Sequence, residues 1–184
     1  MLLPRASRLL FSFLLLVSLN DRASATTMAP MAVETLVAKA EAVVRGVVVK
    51  RRVSRENGRV VTRVELKLEE VLKGRIKGGE ATIVQAGGTL GEKRTRVVGA
   101  PEFALGSEVV VFLVFNNRGD GVVLGLSQGK FDVFAGAGGR KQVRNRFHGG
   151  LAETSSSGQA ILNRLGNRSL TLEQLRERVR RQVK

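Results

Sequence analysis

Arg59-Val60-Val61-Thr62-Arg63-Val64-Glu65-Leu66-Lys67-Leu68-Glu69-Glu70-Val71-Leu72-Lys73-Gly74 alternates with period two. Val60, Thr62, Val64, Leu66 and Leu68 fall on one side, and Arg63, Glu65, Lys67 and Glu69 on the other. This pattern predicts a long strand with one face on a core and one in water. Upstream, Ala42 to Val53 is a second β-favouring run, rich in valine. Asn57-Gly58 lies in the gap as a hairpin-turn signal. The centre of the chain therefore reads as a long antiparallel hairpin. Gly46 interrupts its first strand, and a glycine there marks a bulge or a sharp bend.

Further strands follow at short spacing. Ala81 to Gln85 is a third, and Thr95 to Val98 is a brief edge strand beyond the glycine-rich stretch 86–93. Glu108 to Phe115 is almost continuously apolar, which predicts a strand buried on both faces. Asn116 to Gly121 is a turn, and Val122–Leu126, Lys130–Phe134 and Lys141–Phe147 are three more strands. Before the first strand, Val33, Leu36, Val37 and Ala40 share one helical face over residues 33–41. After the last strand, residues 148–168 are polar and weakly patterned and read as a linker. Thr171 and Gln174 then form a capping box, and Leu170 with Leu175 a hydrophobic staple. They open a basic amphipathic helix over 169–184, with Leu172, Leu175, Val179 and Val183 on one face. That face either docks on the β-domain, which is the expectation, or meets a membrane surface or partner. The predicted fold is mainly β: a small antiparallel barrel over 42–147, a short N-terminal helix after a leader beginning at residue 26, and a C-terminal helix.

Residues 1–25 stand apart from this fold. Arg5 and Arg8 precede the short apolar run Leu9 to Val17, and Ala23-Ser24-Ala25 is a cleavage pattern. Together they read as a secretory signal peptide, the run being well short of the roughly 20 residues that span a bilayer. The expectation is a soluble exported protein of bacterial type, periplasmic or extracellular. Cleavage after Ala25 leaves 28 basic and 15 acidic side chains, net +13. Two readings of that excess stay open: an anionic envelope partner, or arginine filling solvent-facing positions. Export makes nucleic acid the least expected partner. The candidate contacts are Lys50, Arg51 and Arg52 on the first strand, and Arg176, Arg178, Arg180, Arg181 and Lys184 on the last helix. The chain has no cysteine, so disulfides and thiolate chemistry are excluded.

The order of helix, Ala40-Glu41-Ala42-Val43-Val44-Arg45-Gly46-Val47-Val48, turn, long strand and Glu70-Val71-Leu72-Lys73-Gly74 resembles the first half of netrin-like modules. Among these is the amino-terminal domain of the tissue inhibitors of metalloproteinases. The resemblance implies an OB-type barrel, and it raises an inhibitor or accessory of a secreted metalloprotease as an alternative function. Those inhibitors use an amino-terminal cysteine on zinc, which this chain lacks. The chain also resembles a set of exported bacterial proteins with the same strand end and a later Ser127-Gln128-Gly129-Lys130-Phe131, a set that brings no activity with it.

Chemistry is sparse. Gly125-Leu126-Ser127-Gln128-Gly129 matches G-x-S-x-G, with Asp132 and His148 as partners in the right order. A nucleophile elbow needs a strand, a strained turn and a helix, whereas strand-like residues follow here. A serine hydrolase using Ser127 is therefore a minor alternative to a hydrogen-bonding turn. Glu69 and Glu70 are adjacent on a strand, so they are expected on opposite faces. One histidine and no cysteine disfavour a transition-metal site. There is no Trp or Tyr for stacking sugars or bases. No catalytic residue, metal or cofactor is expected, and the preferred function is a non-enzymatic binding or scaffold module.

Overall fold

The computed structural model describes residues 29–148 and 170–183. The expected signal peptide, the linker after His148 and Lys184 lie outside the described residues. In chain order the elements are α1 (Val33–Lys39), β1 (Ala42–Glu56), β2 (Arg59–Lys73), β3 (Glu80–Ala86), β4 (Gly88–Leu90), β5 (Lys93–Thr95), β6 (Glu108–Phe115), β7 (Gly121–Val123), β8 (Lys130–Ala135), β9 (Lys141–Arg144), β10 (Leu170–Thr171) and α2 (Leu172–Val183). The fold is mainly β, with a short helix near its start and a helix at its end, as predicted.

β1 and β2 form the long hairpin, paired antiparallel from Val43–Lys73 to Glu56–Arg59. Asn57 and Gly58 both have positive φ, 49° and 78°, the left-handed pair that suits a two-residue hairpin turn. Thr62, Val64 and Leu66 are buried, and the intervening residues are not, so the period-two reading of β2 holds. Gly46 sits at a register shift, as its place in the strand suggested. There β1 is paired on both edges, with β2 and with β6.

Eight strands form one sheet in the order β1-β2-β3-β7-β6-β8-β9-β10, and β1 also pairs with β6. The link between β3 and β7 is parallel and consists of a single bridge, Ile83–Gly121. β6 separates two cores. Val110 and Phe112 face a cluster with Leu36, Val37, Phe131, Leu175 and Val179. Val109, Val111 and Leu113 face another with Val44, Val64, Leu66 and Ile83. The strand is thus buried on both sides, which explains its unbroken apolar run.

α2 docks through Leu172, Leu175 and Val179, all buried, while Val183 at its last turn is half exposed. The capping box is formed: Thr171 N donates to Gln174 Oε1 at 2.9 Å, and Gln174 N to Thr171 Oγ1 at 3.1 Å. Leu170 joins Leu175 in the same core cluster.

Several boundaries differ from expectation. β7 ends at Val123 because Gly125 and Leu126 take left-handed conformations, φ 65° and 57°, which no strand accommodates. The edge strand expected at 95–98 is instead β5, paired with β4 in a small hairpin turning at Gly91. β9 ends at Arg144, since the Asn145 side chain takes the backbone N–H groups of Phe147 and His148 in a turn. His148, placed by its sequence at the start of a linker, is buried with its ring 5.7 Å from that of Phe131.

Candidate functional site

The β1–β2 turn and the β6–β7 turn meet at one place. In the second turn, Asn116 Oδ1 accepts from Arg118 N at 2.9 Å and Asp120 N at 3.0 Å. Arg63, on the water-facing side of β2, ties the two turns together. Its Nε donates to Glu56 Oε1 at 2.8 Å, its Nη2 to Glu56 Oε2 at 3.1 Å and its Nη1 to Asp120 Oδ1 at 2.9 Å. This two-pronged hold on Glu56 is the geometry that a planar guanidinium favours. The bond to Glu56 first, and that to Asp120 second, raise the Arg63 pKa above its usual range. Arg63 in turn holds Glu56 below the ordinary carboxylate value.

Beside this junction is a cleft of about 370 Å³, lined by Arg59, Arg118, Asn57, Asn116, Val61 and Val84 as well as the ion-paired residues. Arg118 is 64% exposed and reaches Glu56 only at 3.6 Å. Arg59 is exposed, with no ion pair among the described residues. The cleft thus combines two cations turned to solvent, two amide side chains and an apolar pair on a braced support. None of these residues stood out in the sequence as a site. Both turns were legible, but their meeting depends on strand pairings between segments far apart in the chain.

The basic residues singled out from the sequence are dispersed. Lys50 pairs with Glu65 at 3.1 Å. Arg51 Nη1 donates to the Phe103 carbonyl at 3.2 Å. Arg52 lies opposite Arg63 in the ladder and is exposed. Arg176 is held by Glu70 at 2.6 Å and Glu173 at 3.1 Å. Burial alone would lower the Arg176 pKa, but these carboxylates outweigh it and raise it. Arg178 lies 3.6 Å from Glu34, and Arg180 lies 4.0 Å from Glu173. Arg181 Nε reaches only the Glu177 carbonyl, at 3.5 Å. Arg52 faces Arg63 and Arg176 grips Glu70, seven residues farther along β2, or about 23 Å at ~3.3 Å per residue. The two groups do not form one surface.

Arg176 belongs to a network centred on Arg45, which contacts Glu69 at 2.8 Å, Glu70 at 3.5 Å and Glu108. Lys141 adds a 2.6 Å contact to Glu108. Burial pushes the Glu108 carboxyl up, but Lys141 and Arg45 outweigh it and hold it below the ordinary value. Contrary to expectation, Glu69 and Glu70 therefore share one cation. The register shifts on either side of Arg45 disturb strict alternation, and its long side chain spans both carboxylates. A larger cleft, about 630 Å³, opens between Arg45, β9 and the start of α2. Of its cations, Arg45, Lys141 and Arg176 are held by carboxylates, whereas Arg140 is exposed with no ion pair among the described residues.

The G-x-S-x-G stretch forms a 3-10 turn, Leu126–Gly129, between β7 and β8. Ser127 Oγ is buried without a hydrogen-bond partner, as is His148 Nε2, so the two do not bond to each other. Asp132 pairs with Lys130 at 2.5 Å. His148 Nδ1 instead lies 3.2 Å from Asn145 Oδ1. Burial first, then Arg178, lowers the His148 pKa, with Glu34 opposing. None of the contacts of a catalytic triad is made. Among the described residues, no group of three or more His, Asp or Glu is placed to hold a metal.

No family model matches the chain, and no curated protein matches it.

Proposed function

We propose that this chain is an exported, non-enzymatic binding module on an OB-type barrel, and that it holds an anionic partner over the cleft between its two hairpin turns. The barrel reading is supported by the pairing cycle β1-β2-β3-β7-β6-β1, in which only β3–β7 is parallel. OB-type barrels bind ligands on the faces of their second and third strands, between the loops that join strands one to two and four to five. Here those loops correspond to the β1–β2 and β6–β7 turns. The observation that carries the proposal is the Arg63 brace, with Arg59 and Arg118 exposed beside it. Fixed supports lower the ordering cost of binding, and exposed guanidinium groups suit carboxylate or phosphate. The partner is an acidic protein or another anionic component of the envelope. Export itself rests on the amino-terminal pattern of residues 1–25.

The test is capture from an envelope extract with three full-length proteins. They are the wild type, Arg59→Glu with Arg118→Glu, and Arg180→Glu with Arg181→Glu. The proposal expects one stoichiometric partner that only the cleft variant loses. Equal loss in both variants would mean that net charge alone drives association, and undiminished capture by the cleft variant would mean that the partner does not use the cleft; either result overturns the proposal.

A further inference from the structure

Ahead of α1, Ala29-Pro30-Met31 lies against the 3-10 turn, and one side chain reads its backbone. Gln128 Nε2 donates to the Ala29 carbonyl at 3.2 Å, and Gln128 Oε1 accepts from Met31 N at 2.6 Å. Pro30 has no N–H, so Met31 supplies the first backbone donor after Ala29. A primary amide offers one donor and one acceptor side by side. It thus gives an extended chain what a neighbouring strand would give. Gln128 is 2% exposed, so water does not substitute for these partners.

The socket is built from more than Gln128. Gly125 is left-handed, and a Cβ on it would collide with Met31 Cε, so the missing side chain makes a notch for the methionine. Leu126, the next residue, is also left-handed at φ 57°, a costly conformation for leucine. Asn145 Nδ2 donates to the Gln128 carbonyl at 2.6 Å and pins the turn from the other side. Met31 completes the core cluster that holds Leu36 and Phe131.

We infer that Gln128 and the Gly125 notch form a peptide-backbone site. Its ligand is an extended segment with a carbonyl before proline and a long unbranched apolar side chain after it. The chain's own residues 29–31 fill the site, and the segment is exchangeable: once expelled, it is replaced by a peptide of the same chemistry. The site is separate from the cleft between the hairpin turns and does not depend on its role.

Hydrogen exchange on the intact chain is the first test. Met31 N–H is expected to exchange at least about ten-fold more slowly than in a free peptide. Gln128→Met keeps the bulk and removes both bonds. It should abolish that protection while leaving the amide of Leu66 unchanged. An unprotected Met31 in the wild type, or equal protection in Gln128→Met, overturns the inference. The second test uses full-length Met31→Asp, which expels the segment, and a labelled peptide of residues 26–32 followed by fluorescence anisotropy. Binding to Met31→Asp but not to Met31→Asp with Gln128→Met supports exchange. Equal binding to both, or none to Met31→Asp, refutes it. Should Met31→Asp fail to fold, Met31→Ser takes its place in the peptide-binding test, with the same supporting and refuting outcomes.

Discussion

Replacing Gly46 with alanine should damage the sheet out of proportion to one methyl group. An added Cβ would stand 2.5 Å from the carbonyl oxygen of Lys67, 3.2 Å from its carbonyl carbon and 3.3 Å from Leu68 Cα. A comfortable carbon–oxygen contact is about 3.3 Å or more, so the oxygen must retreat by roughly 0.8 Å. All three atoms are backbone, so no rotamer change relieves the clash. β1 cannot shift away either, because Gly46 is paired with Leu68 on one edge and Val109 on the other. Overpacking a core costs about 1–3 kcal/mol, and a clash confined to backbone belongs at the top of that range. With a urea slope of about 2 kcal/mol per molar, a loss of ~3 kcal/mol lowers the unfolding midpoint by ~1.5 M. Gly79→Ala is the control. Its Cβ meets nothing within 4 Å and its φ lies outside the left-handed region. It should be neutral or stabilise by ~0.4–1 kcal/mol through the unfolded chain. Paired urea titrations with unchanged slopes check the difference. Midpoints within ~0.3 M of each other would refute the close approach of β1 and β2 at Gly46.

Leu175→Ala should cost about 2–5 kcal/mol, since Leu175 is fully buried between the two helices and the sheet. Val183→Ala, at a half-exposed site, should stay within ~0.5 kcal/mol, and thermal unfolding of both reads how firmly α2 is docked. His148 is the sole histidine, and its folded pKa is lowered, with an unfolded histidine titrating near 6.5. Below ~6.5 the unfolded chain binds more protons, so this part of the stability is intact above 6.5 and lost as pH falls toward the folded value. Urea midpoints at pH ~7.5 and ~5.5 should therefore fall more for the wild type than for His148→Gln, and equal falls would show that the ring is not held neutral.

What the sequence disclosed was local. Alternation in β2 and the capping box of α2 each depend on residues a few positions apart, so their periods and spacings are visible without a fold. The unbroken apolar run of β6 likewise announced burial on both faces. The contacts that build the sites lie far apart in the chain. Gln128 meets Ala29 across 99 positions, and Arg63 meets Asp120 across 57. Ser127-Gln128-Gly129 stood out as a motif, but its sequence pointed to the serine hydroxyl rather than the glutamine amide. His148 looked like linker because the residues after it are polar, and only the packing of Phe131 and Asn145 makes it core. The disturbed register around Arg45 undid the strict alternation assumed for Glu69 and Glu70.

The charge excess illustrates the same limit in energetic terms. Net charge counts every arginine equally, whereas a ligand sees only those whose field is not already spent. Arg45, Arg63 and Arg176 are each held by two or more carboxylates. Removing any of them would strand partly buried acids rather than weaken an external contact. Their role is to fasten α2 and β6 to the hairpin and to brace the two turns against each other. In the proposed binding role, exposed cations with weak or no pairing, such as Arg59 and Arg118, would carry the attraction for an anion, and their contribution is screened by salt. Selectivity for one partner must then come from where those two sit, over Val61 and Val84 and beside Asn57 and Asn116. Long-range charge can speed encounter with any anion, but only a braced arrangement of unlike groups distinguishes one anion from another.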